Sequence, residues 1–423
     1  MSFNTICVVG LGYIGLPTAA MLASRQKTVI GVDINQYAVD TINAGNVHIV
    51  EPGLDVIVRS AVAEGYLKAV ISPLPADAFF IAVPTPFLGE VGADESYQPD
   101  LSFIEAASRA IAKVLKKGNL VILESTCPVG ATERMAEWLA EERTDLSFPQ
   151  THGEDSDIRI AYCPERVLPG HVVKELVEND RIIGGMTDRC ASDAVNIYKC
   201  FVEGECLKTN VRTAEMAKLT ENASRDVGIA FANELSIICD KLDINVWELI
   251  AVANRHPRVN ILKPGPGVGG HCIAVDPWFI VSSAPKEARL IRAAREINDD
   301  KPSWVLEKVK LALADFLQVN PDRSAREVTI VCYGLAFKPD IDDLRESPSV
   351  MIVSNIVSSH PGRVVVVEPY IDHLPDSIEK AELMDFQDAR HLSAIHLMLV
   401  DHSIFKENRP SSDLIIDTRG IWL

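Results

Sequence analysis

Paired cysteines are missing from this chain. Its nine cysteines, Cys7, Cys127, Cys163, Cys190, Cys200, Cys206, Cys239, Cys272 and Cys332, are odd in number, scattered, and contain no Cys-x-x-Cys unit. That usage argues against a disulfide framework and against a metal site, and it fits a reducing compartment. No uninterrupted apolar run reaches membrane-spanning length, and the apolar opening MSFNTICVVGLGYIGLPTAA lacks the basic start of a signal sequence. Cationic residues are the minority: 41 Lys and Arg face 59 Asp and Glu, a formal net charge of −18. Such a balance argues against nonspecific binding to nucleic acid or to an anionic membrane. Tandem repeats and low-complexity tracts are absent too. These absences leave a cytoplasmic globular protein, and 423 residues suit two or three domains rather than one core.

What is present alternates. The runs TICVVG, TVIGVD, AFFIAVPTP, LVILEST and IRIAYCP read as strands, and longer amphipathic stretches lie between them, one opening on Asp100 as an N-cap. Continuously apolar strands separated by helices imply a parallel sheet covered on both faces. From about Thr213 the pattern turns to long helical periodicity, with Pro302 placed to begin a further helix, SWVLEKVKLALADFL. Strand signals return at EVTIVCYGLAF, VVVVEP, AIHLMLVDH and DLIIDTRG, after the polar linker QVNPDRSARE. The fold class is therefore α/β, with an N-terminal Rossmann-like sheet, a helical middle and a smaller C-terminal Rossmann-like domain.

Gly10, Gly12 and Gly15 form a Gly-x-Gly-x-x-Gly motif directly after the first strand and before a helix-compatible run. In that context the first glycine permits a tight turn, the second lets backbone meet a pyrophosphate, and the third allows close helix–strand packing. Asp33 ends the second strand about 20 residues on, where a carboxylate accepts bonds from a ribose hydroxyl and repels a 2′-phosphate. The expected cofactor is NAD rather than NADP, with Tyr13 and Ile14 inside the loop. Thr85 and Thr126 end two later strands, where open α/β sheets bind ligands.

Two further features carry chemistry. Lys218, Asn222 and Arg225 lie at i, i+4 and i+7 and share one face of a helix. An ammonium beside an amide and a guanidinium can hold an oxyanion or a sugar hydroxyl. In GPGVGGHCIAVDP, Cys272 follows a run of glycines that leaves backbone N–H groups uncovered, and Asp276 stands four places further on. The two share a face where that segment is helical.

The stretches GLGYIGLP, ESTCPVG, YCPERVLPG, TAEMAKLTEN, GPGVGGHC and GLAFKPDIDDLRESP stand in the order seen in the UDP-glucose and UDP-mannose dehydrogenase family, which this chain resembles along almost its whole length. The resemblance implies an NAD-binding Rossmann domain over 1–205, a helical dimerisation and active-site region over 206–315, and a UDP-sugar-binding domain over 316–423. UDP-glucose dehydrogenases usually read Cys-Phe-Pro-Lys-Asp at the thiol, whereas this chain reads Cys272-Ile273-Ala274-Val275-Asp276 after His271. That loop is most similar to UDP-N-acetylmannosamine dehydrogenases.

Such enzymes oxidise a primary alcohol at C6 to a carboxylate with two NAD and one water. By resemblance Cys272 adds to the intermediate aldehyde, giving a thiohemiacetal and then a thioester that water releases. Lys218 and Asn222 stabilise the oxyanions, while Asp276 and Glu165 are acid–base groups. The resemblance also implies that Arg166, Val167, Arg225, Gly269, Phe337, Lys338 and Arg419 bind the substrate, that His256 and Arg258 reach it across a dimer interface, and that Arg345 reaches the NAD phosphate region. The expected partners are a UDP-N-acetylhexosamine and a second copy of the chain, and the product feeds a bacterial surface polysaccharide. UDP-glucose and UDP-N-acetylglucosamine stay open as alternatives. A single-step 3-hydroxyacid dehydrogenase or a silent NAD-binding scaffold stands further off, since neither requires Cys272, Lys218 and Asp276 together.

Overall fold

The computed structural model describes residues 3–88, 97–168, 170–270, 272–412 and 414–422. It divides into two compact units, Met1–Thr220 and Glu221–Leu423. His271 lies outside the described residues.

The first unit is built on one eight-stranded sheet. Its strands are β1 (Thr5–Val9), β2 (Thr28–Val32), β3 (Leu67–Val70), β4 (Ala78–Ile81), β5 (Leu120–Leu123), β6 (Arg159–Tyr162), β7 (Arg181–Gly185) and β8 (Cys206–Asn210), in the order β3-β2-β1-β4-β5-β6-β7-β8. Among the described strands of this sheet, only the β6–β7 pairing is antiparallel. Strands β4 to β6 are buried along their whole length, as expected for apolar runs covered by helices on both faces. Chain order reverses at β1, where Val9 pairs with Val32 on one side and Ile81 on the other. A crevice at the carboxyl ends of β1 and β4 is the topological switch point of such sheets.

Three local expectations need correction. Asp100 is not the N-cap of the helix Ser102–Ala112; Leu101 is, and the Asp100 carboxylate instead accepts the Ser102 N–H at 2.8 Å. The strand β8 falls in the stretch assigned to the helical middle from residue 206, yet it pairs with β7 in parallel from Arg181–Cys206 to Gly185–Asn210. Its polar, half-exposed sequence CLKTN is that of an edge strand and carries little apolar signal. Pro302 does not begin a helix, because Arg289–Val319 runs continuously through it. A proline removes one backbone hydrogen bond, and here the buried stripe Ala294, Asn298, Lys301, Val305 and Val309 outweighs that loss.

The second unit holds the smaller sheet, with β9 (Thr329–Tyr333), β10 (Val364–Val367), β11 (Glu382–Leu383), β12 (Ala394–Met398) and β13 (Ile415–Asp417) in the order β11-β10-β9-β12-β13, all parallel. This repeats the strand order of the first five strands of the larger sheet, with its own switch point between β9 and β12. Ahead of it lie the helices Val246–Ala253, Asp276–Ser283 and Arg289–Val319. The 31-residue helix Val211–Lys241 contains the division between the two units.

Candidate active site

The glycine turn of the first unit is shaped for close approach. Gly10 has φ +91°, and a Cβ there would stand 2.5 Å from the Ala82 carbonyl oxygen; one on Gly15 would stand 1.8 Å from the Gly10 oxygen. Both glycines are thus fixed by internal packing. Gly12 is different, since a Cβ there meets nothing within 4 Å. Its backbone opens to space directly before the helix Gly15–Ser24, whose first N–H groups and dipole favour an anion. Tyr13 is partly exposed beside it, and Ile14 is the residue before the helix.

Asp33 braces this turn. Its carboxylate accepts the Leu11 N–H at 2.9 Å through one oxygen and the Asn35 N–H at 2.9 Å through the other. A carboxylate has about four acceptor positions, so these two bonds orient Asp33 and leave capacity for ribose hydroxyls. The residues therefore fit a dinucleotide: Gly12 leaves room for a pyrophosphate, and Asp33 keeps acceptor positions for a ribose. Asp33→Ser is expected to raise the KM for NAD at least about tenfold, roughly 1.4 kcal/mol, and to narrow the preference over NADP. Initial-rate kinetics with both cofactors measure this, and an unchanged KM would detach Asp33 from the ribose. Further along the strand ends, the Thr85 hydroxyl donates to the Thr126 carbonyl oxygen at 2.6 Å, binding the two loops to each other.

Glu165 and Lys218 also belong to the first unit, and both are buried. Burial raises the Glu165 carboxyl above its ordinary range, while the Lys218 ammonium and the Arg181 guanidinium pull it back. The Val167 N–H donates to Glu165 Oε1 and fixes the carboxylate's direction. A lysine only 8% exposed is not part of a solvated helical face. Arg166 turns its guanidinium to the Asp180 carbonyl at 3.0 Å. Sequence reasoning missed the anchor of Lys218: Glu215, one turn earlier, is fully buried and accepts the N–H groups of Gly130 and Thr132 and the Thr132 hydroxyl at 2.6–2.8 Å. An acid among the alanines of TAEMAK was the available signal.

In the second unit Cys272 is exposed. The segment after it is a turn rather than a helix: the Cys272 carbonyl accepts the N–H groups of Val275 at 3.1 Å and Asp276 at 2.9 Å, and the helix Asp276–Ser283 begins there. The second bond spans four residues as in a helix, so Asp276 still follows Cys272 by one turn of chain. Asp276 is 3% exposed and accepts the Asn222 amide at 2.6 Å. Asn222 is half-buried, and Arg225, the third member of the stripe, is exposed.

The glycine loop differs from expectation. Rather than baring backbone, several glycines make room for the chain's own side chains. A Cβ on Gly265 would lie 2.5 Å from Arg419 Nη1, and one on Gly269 would lie 2.6 Å from the Glu346 carbonyl and 2.9 Å from Phe337 Cβ. Loop, Phe337 and Arg419 are thereby brought together. Arg419 is held by Asp401 at 2.7 Å, and Lys338 is half-buried. Arg345, expected at the cofactor phosphates, is exposed and paired with Asp343 at 2.6 Å. His256 and Arg258 are both exposed after the helix Val246–Ala253.

Comparison with known proteins accounts for both units. The chain matches the UDP-glucose/GDP-mannose dehydrogenase family in its NAD binding domain over residues 4–202, its central domain over 212–300 and its UDP binding domain over 331–423. It is 62% identical over 426 residues, covering all of both chains, to the UDP-N-acetyl-D-mannosamine dehydrogenase of Yersinia pestis. It is also 62% identical over 425 residues, all of this chain and 97% of the relative, to the NDP-N-acetyl-D-galactosaminuronic acid dehydrogenase of Ralstonia nicotianae. Among solved structures, the UDP-D-ManNAc dehydrogenase of Pyrococcus horikoshii superposes with a TM-score of 0.85 at 39% identity, covering 99% of this chain and 96% of that one. The cofactor is NAD, and the chain belongs to the UDP-glucose/GDP-mannose dehydrogenase family.

Proposed function

We propose that the protein oxidises UDP-N-acetyl-D-mannosamine at C6 to UDP-N-acetyl-D-mannosaminuronate through a thioester on Cys272. The observation that carries this reading is the exposed thiol one turn of chain before a buried Asp276 held by Asn222. A thiol is required by the second oxidation, because an aldehyde carbon must become tetrahedral and bonded to a heteroatom before it can lose hydride. Gly12 and Asp33 would hold NAD, which when bound would supply the hydride acceptor for each oxidation. Cys272 adds as thiolate to the aldehyde to form a thiohemiacetal, whose oxidation leaves the thioester. Water then attacks the acyl carbon, the C–S bond breaks, and the thiolate is regenerated. Asp276 or Glu165 takes the proton from that water, and Lys218 and Asn222 donate to the oxyanion. Lys338, Arg419, Phe337 and Gly269 serve the UDP-sugar, together with Arg166, Val167 and Arg225.

The mannosamine configuration is supported by the loop Cys272-Ile273-Ala274-Val275-Asp276 and by the similarity to UDP-N-acetyl-D-mannosamine dehydrogenases, including that of Yersinia pestis. A galactosamine-configured substrate is the second reading, favoured by the equal identity to the Ralstonia nicotianae enzyme. Phe231 and Ile238 are about half exposed at i and i+7 on the helix Val211–Lys241, and Leu242, the residue just past its end, is exposed as well. That stripe supports a homodimer, in which His256 and Arg258 serve the neighbouring subunit. No described helix is long and apolar enough to cross a membrane, and a cytoplasmic location, without a metal, agrees with the cysteine usage.

The deciding experiment counts NADH formed per sugar consumed with UDP-N-acetylmannosamine, UDP-N-acetylgalactosamine, UDP-N-acetylglucosamine and UDP-glucose. The expected result is two NADH, with the highest kcat/KM on the mannosamine sugar. One NADH per sugar would overturn the thioester route, and a higher kcat/KM on another sugar would overturn the substrate.

A further inference from the structure

The first unit holds buried ionisable groups that the reaction above does not use. Glu124 follows β5 and is 2% exposed, Arg181 opens β7 and is also 2% exposed, and Tyr198 is fully buried. The Tyr198 hydroxyl donates to Glu124 Oε1 at 2.6 Å, and the Arg181 guanidinium carbon lies 5.6 Å from the centre of the Tyr198 ring. Among the described residues, none of the three guanidinium nitrogens of Arg181 has a hydrogen-bond partner. A cation buried in that state is strongly disfavoured unless negative charge lies close by. Glu124 and Glu165 supply it, since each of these buried carboxylates interacts electrostatically with Arg181.

We propose that Glu124 and Arg181 are positioning residues for the acid–base chemistry of Glu165, with Arg181 a buried cation shared by the two carboxylates so that charge on one opposes charge on the other. The inference rests on the reading of Glu165 as an acid–base group. The groups facing this set are few and named: Tyr198, Thr18 and Arg181 around Glu124; Lys218, Arg181 and the backbone of Arg166 and Val167 around Glu165; Cys163 and Cys206 near Arg181. Burial pushes Glu124 up to about 7, against the Tyr198 hydrogen bond and the Arg181 charge. Burial raises Glu165 as well. Both carboxylates therefore titrate against the same guanidinium, which compensates whichever is ionised. In the hydrolytic step Glu165 takes one proton from the attacking water and later returns it to solvent, while Glu124 gains and loses none; through Arg181 the charge state of Glu124 sets how strongly Glu165 holds that proton. No electrons move in this step.

The test is the pH dependence of kcat for NAD reduction with UDP-N-acetylmannosamine, in the native protein and in Glu124→Gln, Arg181→Met and Glu165→Gln. Glutamine keeps the shape of Glu124 and an acceptor for Tyr198 but carries no charge, so Glu165 no longer shares Arg181 and ionises at lower pH. The acid limb is expected to move down by about one pH unit in Glu124→Gln and up by a similar amount in Arg181→Met. A purely structural role would instead lower kcat by one factor at every pH. Should Arg181→Met fail to fold, Glu124→Gln decides alone. A Glu124→Gln limb coincident with the native one, while Glu165→Gln removes that limb, overturns the inference and leaves the role of Glu165 standing. A limb that persists in Glu165→Gln overturns both.

Discussion

Cys272→Ala is expected to lower the steady-state formation of uronate by at least about a thousandfold, the scale of losing a covalent nucleophile, while the thermal unfolding midpoint stays within a degree or two of native. The second expectation makes the first interpretable. Cys272 is exposed in a turn and fills no core, and surface substitutions away from packing contacts usually change stability by less than about 0.5 kcal/mol. Alanine also keeps the backbone bonds from the Cys272 carbonyl to Val275 and Asp276. The acid–base groups remain, so the alcohol can still reach the aldehyde level, and rapid mixing with UDP-N-acetylmannosamine and excess NAD should show at most one NADH per site. Native activity in Cys272→Ala would mean that water adds to the aldehyde directly. The thiol would then be a surface residue and the thioester route wrong.

The architecture was legible where one physical signal dominates. Strands β1, β2, β4, β5 and β6, and β9, β10, β12 and β13, are short apolar runs closed by turn residues, and each was read at its place. The strands missed, β3, β7, β8 and β11, lack that signal: LKAV alternates in burial, RIIGG ends in glycines, CLKTN is polar, and Glu382–Leu383 is only two residues long. The glycine turn and Asp33 were legible because a backbone constraint and its acceptor stand at fixed separation. Hydrogen bonds within the structure add what orients the Asp33 carboxylate, namely the N–H groups of Leu11 and Asn35.

Long-range polar partners were not legible. Glu124 closes an apolar strand, Glu215 sits among alanines, and Arg181 opens a strand of its own; nothing local says which groups they face. The same holds for the glycine loop. Its composition suggests an uncovered backbone, whereas Gly265 and Gly269 are small because Arg419 and Phe337, far along the chain, occupy the space where side chains would be. A motif marks Arg345 for the cofactor, and in the structure Asp343 engages its exposed guanidinium, a local pairing that the motif does not announce.

Arg295→Met should destabilise the second unit by about 3–5 kcal/mol, the cost of stranding one member of a buried ion pair. Arg295 is 1% exposed and its Nη1 donates to the fully buried Asp226 at 2.6 Å. From Asp226 a chain of side chains runs to the glycine loop: Asn298 donates to Asp226 at 2.8 Å, Asn233 donates to Asn298 at 2.9 Å, and the Gly265 N–H donates to Asn233 at 2.9 Å. The pair thus ties two long helices to the start of the loop that carries Cys272. Burial already raises the Asp226 carboxyl above its ordinary value, with Arg295 opposing the rise; without Arg295 it rises further. A carboxyl whose folded pKa exceeds its unfolded one binds its proton more tightly when folded. That contribution to stability is complete below the unfolded pKa and is lost as pH climbs through the folded one. The deficit of Arg295→Met relative to native should therefore be larger at pH 7 than at pH 5. The apolar double variant Arg295→Met with Asp226→Leu should recover part of the loss and reduce its pH dependence, because the fully buried carboxylate is gone; Asp299, the other carboxylate that Arg295 holds and one that burial raises to about 6, stays behind and keeps the remainder. Urea unfolding of the three proteins at both pH values measures the cycle. Equal deficits at the two pH values, with no recovery in the double variant, would show that Arg295 contributes packing rather than charge, and that its bond to Asp226 does not hold the loop.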